Sequence, residues 1–272
     1  MLPANEGSPK PSGVVIDCDV FIGRSAGYGP VPGRESTIDD LLSQMDRLGV
    51  DSAVVYHIVA LEHAPSVGND LLLNEVRGVP RLIPAFVLLP THTRELPPMD
   101  EIVVEMREEG VRMARIFPAS GLTGHRFPLK EWCAGPMLSA LEEAGIPLGI
   151  DFSLSRRGEP PWDDVFEMCE HHPDLRIALM DVQGRNNRAM YALMDRFPHL
   201  YVASGGLNVH AGLEDICARF GAERLFLGSG SPTRSMGAAR LVVDRAALNR
   251  QQQAMILGGC AADLLGIVAD RS

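Results

Sequence analysis

A chain of 272 residues with 46% hydrophobic and 22% charged residues has the composition of a folded globular protein, and its length suits one sizeable domain. The formal net charge is −10 with acidic and basic residues mixed along the chain, so the concentrated basic face that nucleic acid demands is missing. No apolar run approaches the roughly 20 residues of a membrane span. Met1 to Ser12 are polar, contain Pro3, Pro9 and Pro11, and lack the apolar centre of a signal peptide. They are expected to form a flexible tail (1–12) ahead of one domain (13–272). The five cysteines (Cys18, Cys133, Cys169, Cys217, Cys260) are scattered, odd in number and without a CxxC pair, which points to reduced thiols in a cytoplasmic protein.

The first element is the apolar run Val14 to Gly23, which suits a buried parallel strand and carries Asp17 and Asp19. Arg24 to Arg34, rich in Gly and Pro, reads as a loop. A helix is expected from Ser36 or Thr37 as N-cap, through Asp39 and Asp40 in the first turn, to a stop at Gly49. Ala53 to Tyr56 is a second strand ending at His57, with a helix over 69–77 beyond it. Strands over 81–89 and 111–117, the latter carrying Arg115, flank a helix over 98–109. A helix over 136–144 leads to a strand ending at Asp151, and a helix over 162–171 to a strand ending at Asp181. Helices over 187–197 and 211–220 alternate with strands over 200–203 and 224–227, and stretches 236–248 and 251–265 finish the chain. Eight strand-then-helix units without a composition break predict a single (β/α)₈ barrel with an extra C-terminal helix.

Several of these segments resemble one family. Ile16-Asp17-Cys18-Asp19-Val20-Phe21-Ile22-Gly23 resembles the opening strand of the amidohydrolase superfamily, in its amidohydrolase-related (aminocarboxymuconate-semialdehyde-decarboxylase-like) branch, which writes Ile-Asp-x-His-x-His-x-Gly. Gly110 to Pro118 resembles that family's strand-four segment, and Phe220 to Ser229 its Phe-Gly-x-x-Arg-[Leu/Ile]-x-[Phe/Tyr]-Gly-Ser-Asp. Ile256 to Ala261 is similar to its closing Ile-Leu-x-x-Asn-Ala, with Cys260 for Asn. The resemblance runs from about Val14 to Ile267 and implies a barrel enzyme with a metal at its mouth.

The family's chemical positions are nevertheless all changed. Asp19 and Phe21 stand where it places the histidine ligands of strand one, and Asp151 and Asp181 where later strand-end histidines belong. Gly230 takes the place of the proton-handling aspartate. Imidazoles suit zinc, whereas carboxylates alone suit harder cations, so the zinc-hydrolase mechanism is not carried over. No cofactor is expected, a hard divalent cation at Asp19, Asp151 and Asp181 being the minor alternative.

Three carboxylates converging at one mouth would raise one another's pKa. Relief could come from a cation, from an arginine (Arg115 or Arg185), or from a proton shared among the acids. Each aspartate alone is equally explained as an N-cap at a strand-to-helix turn. His57, at a strand end, is expected to face the mouth and transfer protons. His125 and His210 fall in loops on that side, and Ser204-Gly205-Gly206 is either a tight turn or an anion cradle.

Two functions remain open at this point. One is a divergent enzyme in which Asp19, Asp151, Asp181 and His57 share proton transfer while Arg115, His125, His210, Ser204 and Arg185 hold a small carboxylated or cyclic substrate. Hydrolysis, lactone opening and decarboxylation or lyase steps all occur in the neighbourhood that the resemblance implies, where lactonase-type relatives work without a metal. The other is a non-catalytic barrel, either a partner subunit of an active relative or a small-molecule binding protein, since Phe21 and Gly230 can neither ligate a metal nor move a proton. Family members commonly form dimers, so a homo-oligomer or such a heteromer is expected.

Overall fold

A computed structural model describes residues 13–26, 35–118, 125–152 and 160–267; the expected tail 1–12 lies outside them. Eight strands run parallel: β1 (Ile16–Arg24), β3 (Ser52–His57), β4 (Leu82–Val87), β5 (Met113–Ile116), β6 (Leu148–Asp151), β7 (Ile177–Met180), β8 (Leu200–Ala203) and β9 (Leu225–Phe226). They neighbour one another in that order. The last strand returns to the first through Cys18 N donating to Leu227 O at 2.8 Å and Phe21 N to Ser231 O at 3.0 Å, which closes the barrel. The extra strand β2 (Glu35–Ser36) pairs antiparallel with Gly23 and Arg24, where the sequence predicts only the end of a loop.

Strand alternation gives the apolar residues an inner and an outer core, with a third, smaller cluster around Phe21, Tyr56 and Phe117. Ile16, Cys18, Val54, Met113, Met180 and Phe226 fill the barrel interior. Val20, Val55, Ile116, Leu148, Leu179 and Val202 face outward and pack under the helices. β1 departs from strict alternation: its register with β3 shifts between Asp17 and Val20. That bulge lets Cys18 belong to the interior core while Asp19 also reaches the interior mouth.

The helices are α1 (Ile38–Leu48), α2 (Ile58–Glu62), α3 (Pro65–Val76), α4 (Met99–Glu108), α5 (Glu131–Ala144), α6 (Trp162–His171), α7 (Asn187–Arg196), α8 (Gly212–Phe220), α9 (Met236–Arg245), α10 (Arg250–Ala254) and α11 (Cys260–Leu265). α1 starts and stops as its sequence dictates, with the Thr37 side chain accepting from Asp40 N and Gly49 in the left-handed region. α3 begins at Pro65 rather than at 69, because a proline at the first helical position forfeits no hydrogen bond. α5 begins at Glu131 and carries Pro136 inside it; the buried Ala134, Met137, Leu138 and Leu141 offset that interruption. The final expected helix is broken into α10, a π-turn over Met255–Gly259, and α11. Gly258 in that turn lies against the backbone of Val14, where any Cβ would sit 1.8 Å from the Val14 carbonyl oxygen. No helix among the described residues is long and apolar enough to cross a membrane.

Candidate active site at the barrel mouth

Strand ends bring the three aspartates together. Asp19 on β1, Asp151 at the end of β6 and Asp181 just past β7 are all buried. They meet two arginines. Arg115 on β5 is 2% exposed; its Nη2 donates to both Asp19 Oδ1 and Asp151 Oδ2, and its Nε donates to Asp151 Oδ2 at 3.1 Å. Arg234, between β9 and α9, donates through Nη1 to Asp181 Oδ1 and through Nη2 to Asp19 Oδ2 at 3.3 Å. Its Nε is held by the Ser229 carbonyl at 3.1 Å.

Among the described residues two guanidinium cations thus face three carboxyl groups, and the environment sorts those carboxyls. Burial alone would raise Asp19, but Arg115 and Arg234 beside it hold it below the usual carboxylate range. Asp181 is pushed up to about 6 by burial; Arg234 opposes this, while the negative charges of Asp151 and Asp19 add to it. Asp181 also adopts φ 51°, a left-handed conformation unusual outside glycine that aspartate tolerates better than most residues. Next to this cluster Asp17 is pushed up to about 7, chiefly by burial. Its Oδ1 accepts from Ser229 N at 2.9 Å and Asp19 N at 3.1 Å, while Oδ2 has no hydrogen-bond partner among the described residues.

Both of the least expected residues of the family-like frame are explained by the arginines. Phe21 packs on Tyr56 with ring centroids 5.8 Å apart, and Tyr56 and Phe117 carry the Arg115 guanidinium at 4.5 and 5.5 Å from their ring centroids. An aromatic wall therefore supports the buried cation. Gly230, at φ 72°, lies under Arg234: a Cβ there would stand 2.5 Å from its Nε and Nη2. Any side chain at 230 would displace that guanidinium.

The other candidates divide. Arg115, expected to bind a substrate carboxylate or to relieve the aspartates, is brought to the cluster, where it is buried and bonded to Asp19 and Asp151. His57 is not brought to the carboxylates. Tyr56 faces inward to Arg115, so the next residue on the strand turns outward; there Nδ1 of His57 accepts from Val59 N at 3.2 Å and caps α2, and Nε2 lies 3.4 Å from Glu75 Oε1. Burial lowers its pKa, with Glu75 opposing. His125 is buried and its ring bonds the His63 backbone; burial lowers its pKa too. His210 is exposed in the turn before α8. Ser204 is buried beyond β8, its Oγ without a partner among the described residues. Arg185 falls in a short 3₁₀ turn and its side chain lies outside the described residues. Arg234, Tyr56 and Asp17 were not among the expected site residues. The useful signal for Arg234 is charge balance: three strand-end aspartates with one strand arginine call for a second cation nearby.

The amidohydrolase family model matches residues 16–267, and the chain belongs to that family. Solved structures share the fold at low identity. A 2,6-dihydroxybenzoate decarboxylase complexed with 2,6-dihydroxybenzoate is 15% identical at TM-score 0.73, over 94% of this chain and 99% of that one. The 5-carboxyvanillate decarboxylase of Sphingomonas paucimobilis is 17% identical at TM-score 0.71, over 94% and 100%. A dihydroxybenzoic acid decarboxylase from a Polaromonas species, with bound manganese and the inhibitor 2-nitroresorcinol, is 14% identical at TM-score 0.71, over 94% and 97%. No curated protein matches the sequence.

The manganese in the last of these corrects the expectation of a cofactor-free protein, because a metal accompanies this fold in a structure similar to this chain. The mouth described above does not fit such an ion as it is arranged. Oxygens of Asp19, Asp151 and Asp181 accept from guanidinium groups, and Arg234 fills the space over Gly230. The four residues 19, 21, 151 and 181 offer three engaged carboxylates and a phenyl ring.

Proposed function

We propose that the chain is an amidohydrolase-family enzyme that performs a lyase or hydrolase step on a small carboxylated or cyclic substrate at the barrel mouth, with Asp181 as its proton-transferring group. The observation that carries this reading is the contrast between Asp19, held ionised by two arginines, and Asp181, whose carboxyl is pushed to about 6. Paired carboxyl groups whose environments drive their pKa values apart are a recurring basis for acid–base division of labour. Near neutral pH Asp181 can both release and accept a proton, whereas Asp19 serves as a fixed anion. Asp151 and Arg115 complete the buried charge array and stiffen it. Decarboxylase names among similar structures fit a carboxylated aromatic substrate for this chain, and the 2-pyrone-4,6-dicarboxylic acid hydrolase name of another fits a cyclic ester. Its five cysteines are free thiols, as a cytoplasmic protein would keep them.

A panel of hydroxylated benzoates and pyrone carboxylates, followed by ultraviolet absorbance with the parent protein and Asp181→Asn, tests the proposal. Turnover of one class by the parent and its loss in the variant support it; turnover unchanged in the variant refutes Asp181 as the proton carrier. A second reading, a non-catalytic barrel, is favoured by the burial of Arg115 between Asp19 and Asp151, an ion-paired plug. Failure of the parent on the whole panel would favour that reading.

A further inference from the structure

We infer that Arg234 is the docking point for a carboxylate of the ligand, and that Asp181 occupies that point until the ligand displaces it. The inference deepens the substrate-site reading of the mouth and rests on it. Among the described residues two arginines reach the carboxylate cluster, and they differ in access. The side chain of Arg115 is 2% exposed and that of Arg234 is 28% exposed. Of these two, Arg234 is the one that can meet a solute without dismantling the buried array.

Its anchoring also differs. A guanidinium presents five N–H donors; among the described residues Arg234 commits Nε to the Ser229 carbonyl, Nη2 to Asp19 and Nη1 to Asp181. The first two contacts hold the plane of the group from β1 and the chain after β9, and the bare backbone of Gly230 lets it lie flat. Neither contact depends on Asp181. A carboxylate arriving at the Nη1 side would therefore find a pre-oriented cation whose present partner is another carboxylate. Exchange of one carboxylate for another at Nη1 keeps the cation paired, and the charge of the cluster is conserved when the displaced Asp181 carboxylate takes up a proton from solvent. It also sets the displaced Asp181 beside the bound ligand, where proton transfer requires it.

The ligand class is thus a small organic carboxylate, with recognition through a charge-assisted hydrogen bond. Benzoate is the probe and benzamide its neutral counterpart, measured by titration calorimetry at one pH with parent, Arg234→Gln, Arg234→Lys and Asp181→Asn proteins. The parent is expected to bind benzoate and not benzamide. Asp181→Asn, which frees Arg234 of its competitor, is expected to bind benzoate about tenfold more tightly, and Arg234→Gln at least about tenfold more weakly, with Arg234→Lys between. A gain in Asp181→Asn cannot come from misfolding, so it guards against a destabilised Arg234 variant. Equal affinity in Arg234→Gln, no gain in Asp181→Asn, or no benzoate binding by the parent would each overturn the inference. Benzoate binding through Arg234 in a protein that turns over no substrate would sink the enzyme reading alone and leave this one standing.

Discussion

Nε and Nη2 of Arg115 converge on one oxygen of Asp151, Oδ2, and the same Nη2 reaches across the barrel to Asp19 Oδ1. A single buried cation therefore ties β5 to β6 and to β1, strands far apart in sequence.

Removing that cation takes from Asp151 its arginine partner and leaves Asp19 with Arg234 alone. Arg115→Met is expected to lose about 3–5 kcal/mol of stability, read as a lower urea midpoint at unchanged slope. Arg115→Lys keeps the charge but not the three contacts of the planar group, and should fall between parent and Met variant. A Met variant as stable as the parent would mean that the ion pairs contribute nothing net.

Asp17 makes stability depend on pH in an unusual direction. Its carboxyl titrates near 7 in the folded chain against about 3.9 when unfolded, so between those values the folded state holds the extra proton. The contribution of Asp17 to stability is then fully present below about pH 4 and falls as pH rises to about 7, by at most about 1.4 kcal/mol per pH unit for one group. Asp181, raised to about 6, adds to the same trend up to that pH; Asp19, lowered, opposes it only in acid. Asp17→Asn keeps an acceptor for Ser229 N and should flatten the decline between pH 5 and 7 in thermal melts. A decline as steep as the parent's would contradict this assignment.

His57 is a helix cap, and its replacement should behave like the loss of one. His57→Ala is expected to cost about 0.5–2 kcal/mol of stability, with any pH–rate profile of the enzyme unmoved. A shift in that profile would return His57 to the proton-transfer role its strand-end position suggests.

How much of this was readable in advance depends on the residue. Glycines and prolines between apolar runs mark the eight units well, because punctuation and periodicity are local. β2 escapes because two residues carry no period, and the start of α5 is misplaced because Pro136 imitates a first-turn proline. At the site, the meeting of Asp19, Asp151 and Asp181 follows from strand ends sharing one barrel face. The facing of His57 does not, since a strand end fixes depth but alternation fixes side, and the bulge in β1 shifts that alternation relative to β3. Arg234 is hidden most deeply: it stands in a loop after β9, and the folded charge balance and the bare backbone of Gly230 beneath its guanidinium single it out.

In the proposed mechanism the mouth pairs a fixed anion, Asp19, with a carboxyl that trades its proton near neutrality, Asp181. Carbon-13 titration of aspartate side-chain carboxyls, with Asp181→Asn and Asp19→Asn to assign the signals, measures this directly without any substrate. The expected result is an Asp181 midpoint near 6 and an Asp19 signal that does not titrate above the ordinary carboxylate range. Coincident midpoints near about 4 for both residues would contradict it, and would remove the physical basis for Asp181 as the acid–base group.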